Sequence, residues 1–116
     1  MGTSELAAVF VGGVAGALAR TGVAEAWPPH AAHWPWATFV VNIAGAALLG
    51  WIVAGPRYHR LIGTGFCGAL TTFSTLQLEL LQMLDSDCFG LAAGYVGASV
   101  AAGLIAVHVA GRVRAE

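Results

Sequence analysis

The chain has 116 residues, of which 58% are hydrophobic and 9% charged, with a formal net charge of -1 and a mean hydropathy of +0.76. Soluble domains carry about 25% charged residues, so this composition excludes a water-covered globular surface. The near-neutral balance also excludes the basic footprint of a nucleic-acid-binding protein. The reading is an all-α membrane protein in which 16 glycines allow close helix approach in lipid.

In chain order, Met1-Gly2-Thr3-Ser4-Glu5 lacks a basic run, so the first apolar segment is expected to be retained rather than cleaved. Four transmembrane helices fit, each near the ~20 residues a bilayer core requires. The first runs from about Leu6 to Ala24 and carries Arg20 toward its end. In the loop Trp27-Pro28-Pro29-His30-Ala31-Ala32-His33-Trp34-Pro35, prolines stop the helix and tryptophans suit the membrane interface. The second runs from about Trp36 to Gly55 before Pro56, and Arg57-Tyr58-His59-Arg60 is expected to connect it to the third. That third span, about Leu61 to Leu84, is interrupted in mid-membrane; Asp85-Ser86-Asp87 then turns the chain into the fourth, about Phe89 to Gly111. Residues 1–116 thus read as one four-helix domain, spanning 6–24, 36–55, 61–84 and 89–111.

Charge placement predicts orientation. Arg57, Arg60, Arg112 and Arg114 share one side, while Glu25, Asp85 and Asp87 occupy the other with at most the embedded Arg20. The positive-inside rule then puts both termini in the cytoplasm of a multi-pass inner or plasma-membrane protein.

The interruption is Gly65-Phe66-Cys67-Gly68-Ala69-Leu70-Thr71-Thr72-Phe73-Ser74-Thr75-Leu76. Lipid offers no hydrogen-bond partners, so non-helical backbone persists at membrane depth only where protein or a water-filled path satisfies it. The hydroxyls of Thr71, Thr72, Ser74 and Thr75 therefore point to a buried site for a small polar solute or ion. The alternative is a helix whose hydroxyls bond back to carbonyls one turn earlier.

Other polar residues inside the spans are functional candidates by default. Asn42 lies one turn after Thr38 on the same face, either lining a site or making an interhelical hydrogen bond. Arg20 either faces a polar interior or snorkels to the headgroups. Glu79, with Gln77 and Gln82 nearby, is either part of a site or an interfacial residue. Tyr95, Ser99 and Gly103 form an i, i+4, i+8 stripe on the fourth span. Gly12-x-x-x-Gly16 and Gly90-x-x-x-Gly94 read as helix-packing signals. His30-x-x-His33 has no carboxylate or cysteine nearby to complete a metal site. No paired nucleophile and base, and no phosphate-binding loop, can be picked out, which argues against an enzyme.

The segment Gly65 to Thr75, Glu79 four residues on, Thr38-Phe39-Val40-Val41-Asn42-Ile43-Ala44-Gly45, and Gly12-Gly13-x-x-Gly16-Ala17-x-x-Arg20 together resemble the Fluc/CrcB fluoride channels over nearly the whole chain. The resemblance implies a dual-pore, antiparallel dimer of four-helix subunits that lets fluoride leave the cytoplasm passively, relieving its toxicity. It also implies a structural, non-transported sodium ion at the dimer centre, held by backbone carbonyls that match Gly68 and Thr71. Unwound backbone binds Na⁺ in other membrane folds. With Arg20, such a cation would make the pathway electropositive in a low dielectric. Asn42 would offer an amide N–H, and Thr72, Ser74, Thr75, Tyr95 and Ser99 hydroxyls. Phe73 matches a pore phenylalanine whose ring edge is electropositive.

The chain departs from the family pattern at two places. Leu76 stands where a second pore phenylalanine is usual, and Gly103 where a hydroxyl is common. The four arginines on one side raise a further question, since a subunit inserting both ways should have balanced loops. A homodimer, or pairing with an oppositely oriented paralogue, both remain open at this point. The competing reading is a small four-helix multidrug or cation exporter. Such a proton-coupled pump requires a mid-membrane carboxylate in its first span, where this chain has only Glu5 and Glu25 at the ends. A non-transporting, holin-like scaffold is the third reading and would have no need of Asn42, Phe73 or the threonines.

Overall fold

A computed structural model describes residues 2–28, 30, 33–53 and 55–115; Met1, Pro29, Ala31, Ala32, Ala54 and Glu116, which the sequence reading placed in the N-terminal segment, first loop, second span and C-terminal end, lie outside the described residues. Among the described residues the secondary structure is helical throughout: α1 Thr3–Ala26, α2 Trp36–Ile52, α3 Arg57–Leu70, α4 Phe73–Asp85 and α5 Phe89–Ala115. α1 and α5 are long and apolar enough to cross a membrane, and α2 is a shorter apolar helix. The long axis of the molecule is 48 Å, close to the ~40–45 Å of a bilayer with its headgroup regions.

Three boundaries differ from the sequence reading, each for a local reason. Arg57-Tyr58-His59-Arg60 forms the first turn of α3 rather than a connector: Arg60 N–H donates to Pro56 C=O at 2.9 Å, and Pro56 supplies the N-cap. α2 stops at Ile52 because the chain turns there, Gly55 N–H bonding Ile52 C=O at 2.9 Å just before Pro56, a residue that disfavours helix in its predecessor. α5 continues through Arg112 and Arg114 to Ala115, since the Arg114 guanidinium lies 5.1 Å from the Trp51 ring centroid and donates to Trp51 C=O at 3.1 Å.

The helices pack as α1 on α3 and α2 on α5, with α4 resting on α5. Glycine sets the first contact: a Cβ at Gly12 would collide with the Ile62 carbonyl, and one at Gly16 with the Phe66 carbonyl. Backbones can approach this closely only where the side chain is absent. The second glycine pair behaves differently from its expected role, for Gly90 has open space around it and Gly94 meets only the Trp34 ring. α4 ends in a Schellman turn: Asp87 takes a positive φ of 59°, and Cys88 N–H reaches Met83 C=O at 2.8 Å. This turn fixes how α4 lies along α5.

The fully enclosed interior is small, built of Val41, Cys67, Leu70, Met83, Ala92 and the completely buried Tyr95. Phe10, Leu18 and Leu104 are 71%, 69% and 67% exposed. A contiguous apolar exterior of this kind requires lipid or another subunit against it.

Candidate functional site

The site starts at the two residues between α3 and α4. Thr71 and Thr72 have extended backbone, with ψ of 152° and 113°. Thr71 Oγ1 donates to Cys67 C=O at 2.8 Å, the back-bonded form that softens a helix end. Thr72 is the N-cap of α4: its Oγ1 accepts Thr75 N–H at 3.2 Å and donates to Thr75 Oγ1 at 3.0 Å, with Ser74 Oγ 3.5 Å away. The two hydroxyl readings therefore divide between neighbours, Thr71 closing one helix and Thr72 opening the next.

Asn42 holds this junction from α2. Its Oδ1 accepts Thr72 N–H at 2.8 Å and its Nδ2 donates to Thr72 C=O at 3.3 Å. Both functions of its amide thus engage one backbone residue. The consequence is electrostatic as well as mechanical. In a continuous helix Thr72 N–H would bond Gly68 C=O and Thr75 N–H would bond Thr71 C=O. Here those amides go to Asn42 and to Thr72 Oγ1 instead. The carbonyls of Gly68 and Thr71, the two positions that the family resemblance matches to a cation site, are thus among those between Gly68 and Thr71 that the helix break leaves without their helical donors. Gly68 is exposed, with open space where a Cβ would stand. Carbonyl oxygens are the ligand type that a hard cation takes.

One turn below Asn42 on α2, Thr38 Oγ1 donates to Glu79 Oε2 at 2.9 Å, and Tyr95 OH of α5 donates to Glu79 Oε1 at 2.8 Å. Three helices meet at this carboxylate, which is half-buried. Beside it a cavity of about 210 Å³ is lined by Arg20, Thr21, Glu25, Thr38, Thr72 and Thr75, among others. Arg20 Nε is buried without a hydrogen-bond partner; Ser99 Oγ, one turn along α5 from Tyr95 and outside that cavity's lining, is also buried and unpartnered.

The structure therefore gathers Arg20, Thr38, Asn42, Thr72, Thr75, Glu79 and Tyr95 into one region. Phe73 is 69% exposed on the outer surface and Ser74 is exposed beside it, while Leu76 is half-buried against the Met83–Ala92–Tyr95 cluster. Gly103 is half-buried with open space around its Cβ position. Sequence reasoning missed Thr38 as a partner of Glu79 and treated Trp34 only as an interfacial ring. Trp34 in fact packs edge-on against Tyr95 with centroids 5.4 Å apart.

The model of the CrcB-like protein, Camphor Resistance (CrcB) family matches residues 7–111. A protein of Mycolicibacterium paratuberculosis named Fluoride-specific ion channel FluC 1 is 53% identical over 114 residues, covering 91% of this chain and 86% of that protein. One of the same name from Mycobacterium bovis is 48% identical with the same coverage. Fluoride-specific ion channel FluC of Saccharophagus degradans is 40% identical over 111 residues, covering 89% of this chain and 84% of that protein. With the match spanning nearly every described helix, the chain belongs to the CrcB family.

Proposed function

We propose that this chain is the subunit of a fluoride-conducting membrane channel, letting fluoride leave the cytoplasm passively and so relieving its toxicity. One observation carries the reading: a cavity lined by Arg20, Thr38, Thr72 and Thr75, with the Arg20 Nε buried and unpartnered. Fluoride is small and strongly hydrated, so a pathway must replace water's donors at close range. Arg20 supplies a charge-assisted donor, stronger than a neutral one, and Ser99 supplies an uncommitted hydroxyl. Thr38 and Tyr95 are oriented by Glu79, which fixes where their oxygens lie along the path. Related proteins named as fluoride-specific channels support the choice of anion. On this reading the protein is a channel and not an enzyme.

In the proposed arrangement α3 and α4 are the two halves of one span broken in mid-membrane, giving four spans in all. Two subunits pair in antiparallel fashion within the lipid. The carbonyls of Gly68 and Thr71 give two ligands per subunit, so a sodium ion with several oxygen ligands would need both subunits. When bound, that ion would add fixed positive charge near the anion path. Phe73, exposed on the single chain, becomes a pore-lining ring edge once a partner covers it, and Leu76 beside it leaves that lining one aromatic short. The missing ring and the one-sided arginines favour an oppositely oriented paralogue as the partner.

Two experiments test this. Cells made fluoride-sensitive by loss of their own exporter should regain growth in fluoride when they express the chain, with its paralogue if one is required. No rescue by either would contradict the channel reading. The purified protein should melt at a higher temperature in sodium than in potassium salts, and equal melting would count against the cation site.

A further inference from the structure

Among the described residues, the buried side-chain polar atoms without a hydrogen-bond partner are Arg20 Nε, Ser99 Oγ and Trp34 Nε1. The first two belong to the pathway just proposed. The third has no role in it so far. Trp34 stands at the mouth of α2, its ring centroid 5.4 Å from that of Tyr95 and 5.3 Å from that of Phe39, at interplanar angles of 74° and 77°. Tyr95 in turn donates to Glu79. The Trp34 ring therefore lies one ring away from Glu79, on the loop side of Tyr95.

An indole N–H can only donate, and a buried donor left unpaired is destabilising. On one side Trp34 packs against the apolar cluster of Met83, Ala92 and Tyr95; it also lines a cavity of about 320 Å³ with Trp27, His30, His33 and Trp36. A small anion needs donors alone, and the cavity lined by Trp34, Trp27, Trp36, His30 and His33 gathers residues whose rings carry N–H groups.

We infer that the Trp34 indole N–H is an anion-contacting donor at the loop end of the pathway, receiving or releasing fluoride one step outward from the Tyr95–Glu79 pair. The inference rests on the channel reading, and its test separates the two. The full chain, with its tryptophans nitrogen-labelled, is placed in detergent micelles and titrated with fluoride or chloride at constant sodium. Proton–nitrogen spectra follow the four indole signals, assigned by Trp27→Phe, Trp34→Phe, Trp36→Phe and Trp51→Phe. Assignment by elimination suffices if Trp34→Phe does not fold.

The expected result is a downfield shift of the Trp34 indole proton with fluoride and none with chloride. In liposomes Trp34→Phe, which keeps a ring but loses the N–H, should slow fluoride efflux about tenfold, as loss of one hydrogen bond to a charged group implies. An indole signal unmoved by fluoride overturns the inference, and so does Trp34→Phe efflux equal to that of the unsubstituted chain. A chain that conducts nothing either alone or with its paralogue, yet whose Trp34 signal still shifts, keeps the site and loses the channel reading. A conducting chain with an unmoved signal loses the site alone.

Discussion

Asn42 and Thr72 carry the junction between them. A single amide engages both the N–H and the C=O of Thr72, so replacing either amide function removes a defined bond. Asn42→Asp keeps the acceptor but sets a carboxylate oxygen against the Thr72 carbonyl, in a path proposed to carry anions. We expect fluoride flux to be abolished and stability to fall by about 1–3 kcal/mol, measured by liposome efflux and detergent melting; unchanged flux would remove Asn42 from the pathway. Thr72→Ala deletes the α4 cap and should cost about 1 kcal/mol, while Thr72→Ser should not. Polar residue types were legible in the sequence because each is expensive in lipid. Their pairings were not: Asn42 with Thr72 and Tyr95 with Glu79 depend on how separate helices are set side by side.

The interruption between α3 and α4 is a helix boundary written in both directions. Thr71 bonds backward to Cys67 and Thr72 forward to Thr75, so the hydroxyl cluster that marked this segment in the sequence also ends one helix and starts the next. The boundaries that escaped the sequence lie where hydropathy carries no information. The polar Arg57–Arg60 turn is helical because Pro56 caps it, and α5 outlasts its apolar run because Arg114 docks on Trp51. Spacing alone also could not distinguish Gly12 and Gly16 from Gly90 and Gly94, since only contact with α3 makes the first pair indispensable. Gly16→Val should drive a side chain into the Phe66 carbonyl and cost about 3 kcal/mol or prevent folding. Gly90→Ala, in open space, should gain up to about 1 kcal/mol of helix propensity. Equal melting temperatures for the two variants would contradict this packing.

For the whole molecule, family membership and the apolar exterior agree on a membrane protein, and both were legible from composition and motif. In the proposed antiparallel pairing with its central cation, a single chain would supply only half of each. Orientation rests on Arg57, Arg60, Arg112 and Arg114 at one end, which should give a single topology with cytoplasmic termini. Cysteine-labelling of introduced terminal and loop sites in intact cells measures this, and equal labelling from both faces would instead indicate a dual-topology homodimer.

The most direct measurement is anion efflux from liposomes holding the purified chain, alone and with its paralogue, read by fluoride- and chloride-selective electrodes while valinomycin and K⁺ release the charge. The account predicts rapid fluoride efflux without chloride efflux in at least one of the two preparations. Chloride efflux equal to fluoride efflux, or silence from both well-folded preparations, would contradict it.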